Sequence, residues 1–142
     1  GGEYQLTDAL ENMKQKGLNF TTGQVTEWLD CGNKDATVYT NKRILVNHAA
    51  EKLIADSVKQ NNSIIIPPCY LGENVELENC IIGPHVSVGA NTRIKNSIIT
   101  NSIIQNFSLI SNATLDNSMI GNDVHYSGTV RSVSIGDYTK FT

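Results

Sequence analysis

Three histidines are the side chains in this chain best suited to moving protons near neutral pH: His48, His85 and His125. A histidine acting as general base works best with a neighbour that orients it. Asp123, two residues before His125, offers a carboxylate, whereas His85 in "GPHVSVG" has none beside it in sequence. The three cysteines, Cys31, Cys69 and Cys80, are odd in number and too scattered for a zinc signature. They read as buried, reduced thiols of a cytoplasmic protein. Asp30, in "EWLDCG", reads from its setting as a turn aspartate flanking a helix.

Composition narrows the classes. The chain of 142 residues carries 11 basic and 14 acidic side chains, a net charge of -3, and so shows no electrostatic footprint for nucleic acid. No run of eighteen apolar residues is present, so no membrane span is expected. The opening "GGEYQLTDAL" lacks a basic segment followed by an apolar one, which gives no sign of a secretory leader.

What must position these side chains is a repeat. "IKNSIITNSII" (residues 94–104) spells a polar residue, Asn-Ser and an isoleucine pair almost twice over, with a period that suits neither an amphipathic helix nor a hairpin. Rows of three inward aliphatic residues extend the pattern: Ile66, Leu71, Leu77; then Ile82, Val88, Ile94; then Ile99, Ile104, Ile110; then Leu115, Ile120, Tyr126; then Val130, Ile135, Phe141. Glycine follows the middle column at Gly72, Gly89, Gly121 and Gly136. Two places beyond the third column stand Asn79, Asn96, Asn112 and Gly128, residue types that tolerate a left-handed backbone. Each row is therefore predicted to be one triangular coil, with short sides stacked as parallel strands and positive φ at corners. One coil cannot bury its own interior, so stacking supplies the core. An antiparallel sandwich would need strands too short to hold together and does not explain columns that persist over five rows.

The first sixty residues read differently. "LTDALENMKQKG" predicts a short helix capped by Thr7 or Asp8 and ended by Gly17. "LNFTTGQVTEWLDCG" predicts one or two strands, with Trp28 in a core. Val38, Leu45, Ala49 and Leu53 follow helical spacing and predict a long helix from about Asp35 to Val58, placed as a lid over the open end of the coils. The organisation expected is a small α/β remnant over 1–34, a bridging helix over 35–60 and a β-helix over 61–142.

The steps "LGENVE", "VGANTR", "IGNDVH" and "IGDYTK" resemble the hexapeptide repeat of left-handed parallel β-helices, over residues 64–142. The expected fold is thus mainly β, and the resemblance, rather than the columns, implies the left hand. "GEYQLTD", "EWLDCG" and "IIPPCYLGENVELENCIIGPHVSVG" further resemble, in that order, the sugar nucleotidyltransferases, closest to the glucose-1-phosphate thymidylyltransferase type with a C-terminal β-helix. That resemblance implies transfer of a nucleotide from a nucleoside triphosphate, dTTP or UTP, to a hexose 1-phosphate with magnesium. It implies that Asp30 is a magnesium ligand and that Glu3 and Thr7 lie near the sugar pocket. It also implies a homo-oligomer, trimer or dimer. The family's glycine-rich phosphate loop with its arginine, and its mid-domain aspartate, are absent from this sequence. The chain is therefore expected to be the C-terminal piece of such an enzyme and inactive alone.

Two alternatives stand beside this. Many left-handed β-helices are acyltransferases with a histidine base between subunits, and His85 and His125 fall on outward positions of the coils, so either is a candidate base for acyl transfer to a sugar or sugar nucleotide. No long loop interrupts the coils to build an acceptor pocket, which counts against it. The other is a purely structural role, to which the outward corner column Asn74, Asn91, Phe107, Asp123 and Tyr138 contributes two aromatics.

Overall fold

The computed structural model describes residues 5–128. It shows a mainly β chain: a parallel β-solenoid of about four turns with two helices before it. This is the architecture the repeat implied. The three sides of the coils form three parallel sheets. The first face stacks β1 (Lys59–Asn61), β4 (Glu76–Glu78), β7 (Arg93–Lys95), β10 (Leu109–Ser111) and β13 (His125–Ser127). The second stacks β2 (Ile64–Ile65), β5 (Ile81–Ile82), β8 (Ile98–Ile99) and β11 (Thr114–Leu115). The third stacks β3 (Cys69–Leu71), β6 (Val86–Val88), β9 (Ile103–Ile104) and β12 (Met119–Ile120).

The predicted columns form the core. Leu71, Val88 and Ile104 stack in register on one side, Leu77, Ile94 and Ile110 on another, and Ile82 and Ile99 on the third, all essentially without solvent contact. The corners behave as their residue types demand. Asn79, Asn96 and Asn112 have φ of 54, 48 and 51°, and Cys80, Ser97 and Ala113 beside them are buried. Glycine at Gly72 and Gly89 answers another need: a Cβ there would lie 2.9 and 2.6 Å from the backbone nitrogens of Ala90 and Asn106 in the next coil.

Ile66 is not an inward residue. Ile65 pairs with Ile82 in register and packs on the core, while Ile66 is exposed. Related positions are 17 residues apart in the lower coils and 16 in the upper ones. Stacked coils must match at their strands, so the extra residue has to be absorbed at a corner. It goes into the corners before β3 and β6, and Ile66 moves outward there. The fifth predicted row, Val130, Ile135 and Phe141, lies outside the described residues.

Before the coils, α1 (Leu6–Gln15) forms where expected and Gly17, at φ 83°, ends it. Thr7 and Asp8 do not cap it. Gln5 is the N-cap and gives no side-chain bond. Residues 18–31 form no strand, because no neighbouring strand edge pairs with them. Trp28 is 82% exposed rather than in a core.

The second helix, α2 (Lys34–Asn47), is shorter than predicted. Asn33 caps it, accepting from the Ala36 N–H at 2.9 Å. Val38 and Leu45 are buried, and between them Asn41 accepts a 2.6 Å bond from the Ser87 hydroxyl of β6. At its start, Lys34 and Asp35 meet Asn117, just before β12. The helix thus runs along the third face rather than over the open end. Its 14 residues span roughly 21 Å, close to the height of four rungs at ~4.8 Å. A helix running on to residue 60 would overshoot the coils. The chain instead turns, and Leu53, Ile54 and Ala55 pair with Leu71 as the first partial coil. That extended run, not a helix, covers the lower edge.

Candidate functional site

Asp30 belongs to the approach to α2. Its Oδ1 accepts the N–H groups of Cys31 at 2.8 Å and Gly32 at 3.1 Å. Its carbonyl oxygen takes the Thr40 hydroxyl at 2.7 Å, and the Cys31 carbonyl takes that of Thr37 at 3.2 Å. Glu27 pairs with Arg43 at 2.6 Å, and that partner holds the Arg43 guanidinium above its ordinary range. Residues 27–33 are thereby clasped to the first turns of the helix. Magnesium takes six oxygens in a near-octahedral shell. Asp30 offers one uncommitted carboxylate oxygen, and the described residues contain no cluster of three or more His, Cys, Asp or Glu able to hold a metal. The side chains around Asp30 do not by themselves make a magnesium site.

Thr7 sits exposed in the first turn of α1, and Glu3 lies outside the described residues. Nothing among the described residues brings Thr7 to Asp30.

His85 occupies the corner before β6, half-buried, with φ 62°. Its Nδ1 stands 3.3 Å from Oδ1 of Asn101 in the next coil. Asn101 donates through Nδ2 to Asp116 at 2.8 Å, and Asp116 also accepts the Thr100 hydroxyl at 2.6 Å. Those donors hold the Asp116 carboxyl below its ordinary range, the Thr100 bond first, with Lys34 nearby adding to them. Because the Asn101 amide nitrogen serves Asp116, its oxygen is what faces His85. A neutral His85 therefore meets it with Nδ1–H and keeps its lone pair on Nε2. His125 is exposed on β13. Neither Asn101 nor Asp116 stands out in the sequence, since Asn101 sits one coil above His85 and Asp116 one coil above Asn101, 16 and then 15 residues on. The signal was the Asn-Ser corner repeat itself, read as turn chemistry alone.

No protein-family model matches the chain, and no curated protein matches it.

Among the described residues, the first face carries the strongest charge pattern. Glu76 sits between Lys59 at 2.9 Å and Arg93 at 2.8 Å, and Lys95 meets Glu78 at 2.9 Å. The hydrogen bond from Lys59, helped by Arg93, holds the Glu76 carboxyl below the usual glutamate range. These side chains border a shallow open trough of about 570 Å3. Sequence analysis missed this ladder, although the 17-residue spacing of Lys59, Glu76 and Arg93 was there to be read from outward positions. Of the cysteines, Cys69 and Cys80 are buried as expected, and burial pushes the Cys69 thiol upward, away from the reactive thiolate. Cys31 is exposed, contrary to expectation. No helix among the described residues is long and apolar enough to cross a membrane.

Proposed function

We propose that this chain is the C-terminal region of a sugar nucleotidyltransferase, which joins a nucleoside triphosphate to a hexose 1-phosphate and releases pyrophosphate. In this reading the solenoid serves assembly or regulation of the enzyme, through self-association of its coils. The observation that carries it is the run of uncovered apolar side chains before α2. Leu6, Leu10, Met13, Leu18, Phe20, Val25 and Trp28 are all exposed, over a helix and an extended run that bury nothing of their own. An apolar surface of this extent calls for a body to pack against. A catalytic domain is the body that the ordered matches "GEYQLTD", "EWLDCG" and "IIPPCYLGENVELENCIIGPHVSVG" imply. Asp30 would bring one carboxylate oxygen to a magnesium site completed by that domain.

Two measurements test it. Residues 1–142 mixed with dTTP or UTP, glucose 1-phosphate and magnesium are expected to release no pyrophosphate. The natural coding sequence upstream of Gly1 is expected to encode a glycine-rich loop carrying an arginine. A different kind of sequence there, or turnover by the 142 residues alone, would refute the proposal.

A second reading, acyl transfer, has the His85–Asn101–Asp116 chain in its favour, since it orients the half-buried His85 imidazole through Nδ1 and leaves Nε2 free of that chain. Thiol release from acetyl-coenzyme A with an amino-sugar phosphate, abolished by His85→Ala, would support that reading over the first.

A further inference from the structure

The first face of the solenoid is complementary to itself. On β4 the outward residues are Glu76 and Glu78; on β7 they are Arg93 and Lys95, in register as Glu76 opposite Arg93 and Glu78 opposite Lys95. Side-chain exposures of 34 and 43% for the glutamates and 67 and 55% for the basic residues leave all four open to a further partner.

A two-fold axis for a face-to-face pair lies in the plane of contact, and two directions of it keep the strands of both copies aligned. An axis along the solenoid keeps the rung order and reverses position along the strands. Glu76 then meets the second copy's Glu78, and Arg93 meets its Lys95, like charge on like. An axis along the strands, midway between β4 and β7, keeps strand position and reverses the rungs. Glu76 then meets the second copy's Arg93 and Glu78 its Lys95, and two-fold symmetry repeats each pair. The same operation lays the aliphatic stem of Lys59 over the second copy's half-exposed Leu109.

We propose that the chain forms an antiparallel two-fold dimer through this face, with the acidic rung of each copy on the basic rung of the other. The other faces do not select such a partner. The third carries α2. The second shows a row of exposed isoleucines, Ile64, Ile81 and Ile98, with no charge pattern to choose an orientation. Complementary charge fixes register and partner more than it adds affinity, so the dimer is weak and salt-sensitive. The inference deepens the self-association expected above but does not rest on the enzyme assignment.

A charge exchange tests it. Glu76→Lys with Glu78→Lys makes both rungs basic, and Arg93→Glu with Lys95→Glu makes both acidic. All four positions lie on the outer surface, and far-UV circular dichroism checks that the coils persist. By analytical ultracentrifugation the unaltered chain is expected to be dimeric at low salt, its dissociation constant rising roughly tenfold or more from about 0.05 to about 0.5 M NaCl. Each variant alone is expected to be monomeric, and an equimolar mixture to recover a heterodimer. If the charges act only within one chain, mixing recovers nothing, and that result overturns the proposal. Dimers that survive both exchanges overturn this face while leaving self-association through another surface in place. An unaltered chain that stays monomeric at about 1 mM, far above the dissociation constant of a specific contact, overturns both. The salt dependence of the unaltered chain reads the same contact without any substitution.

Discussion

Asn79 donates from its side-chain amide to Oδ1 of Asn96, one coil above, at 3.1 Å. Asn62 donates in the same way to Asn79 at 2.7 Å, and Asn96 to Asn112 at 3.1 Å. One residue type meets two demands here. It accepts the positive φ that turns the corner, and its amide has a donor and an acceptor to hand on to the coils on either side. Replacing Asn96 by alanine removes both, so a loss of about 2 kcal/mol is expected, from backbone strain of ~1 kcal/mol and two modest hydrogen bonds. Asn96→Gly keeps the turn and loses only the amide, so about half that loss is expected. Thermal denaturation of both variants checks the order. Equal losses would mean that the corner conformation contributes nothing beyond the amide ladder, and a loss confined to alanine would mean that the ladder contributes nothing beyond the corner.

Ile98 and Ile99 are chemically identical neighbours on one short strand, pointing opposite ways. Ile98 is 46% exposed and Ile99 is 0%. Ile99→Ala is expected to cost about 3 kcal/mol, because the stacked interior has little freedom to collapse around the space. Ile98→Ala is expected to cost less than about 1 kcal/mol. Urea denaturation of the pair settles the direction of the strand. Comparable losses would place Ile98 inside an interface or a core.

That distinction marks where the sequence was legible. Columns of Leu71, Val88 and Ile104, or of Leu77, Ile94 and Ile110, could be read because stacked coils put chemically similar residues at a fixed interval. Ile65 and Ile66 could not be told apart by that interval, since the choice depends on which corner takes in the extra residue. The end of α2 was hidden for a similar reason. Helical spacing continues through Leu53, yet the helix ends at Asn47, where its length of roughly 21 Å already matches the height of the coils. Little of the candidate site was readable. The partners of His85 and Glu76 lie one coil away, so they become neighbours only when the register is known.

Gly83 is held at φ 108°, and a Cβ there would stand 2.0 Å from the Ile66 carbonyl oxygen of the coil below. Backbone cannot retreat as a flexible side chain can. Gly83→Ala is expected to destabilise by roughly 3 kcal/mol or more, through strain and displacement of the lower coil together. Gly121 belongs instead to the aliphatic-glycine pattern of Gly72 and Gly89; its φ is not positive, and among the described residues a Cβ there would meet only a Val124 methyl at 3.9 Å. Gly121→Ala adds no positive-φ strain and is expected to cost clearly less than Gly83→Ala. Melting temperatures of the two variants compare them directly, and similar losses would show that the repeat needs glycine for backbone freedom throughout.

Acid should loosen the molecule through particular carboxylates. Glu76 is held below the ordinary range by Lys59 and Arg93, Asp116 by Thr100 and Asn101, and Asp35 by Lys34 and Asn117. A carboxyl whose pKa is lower in the folded state binds fewer protons there than in the unfolded chain. Its contribution is complete above the unfolded pKa and disappears as pH falls through the folded value. Stability is therefore expected to hold from neutral pH down to about 5 and to decline below it. These groups are exposed and screened, so each share is small. Glu76→Gln keeps the shape and removes the charge, which should flatten the acid limb of melting temperature against pH and lower the plateau slightly. About 0.5 M NaCl should shrink the difference between variant and unaltered chain, because screening weakens the ladder in both. An acid limb unchanged by Glu76→Gln would show that protonation of this carboxylate is not linked to unfolding.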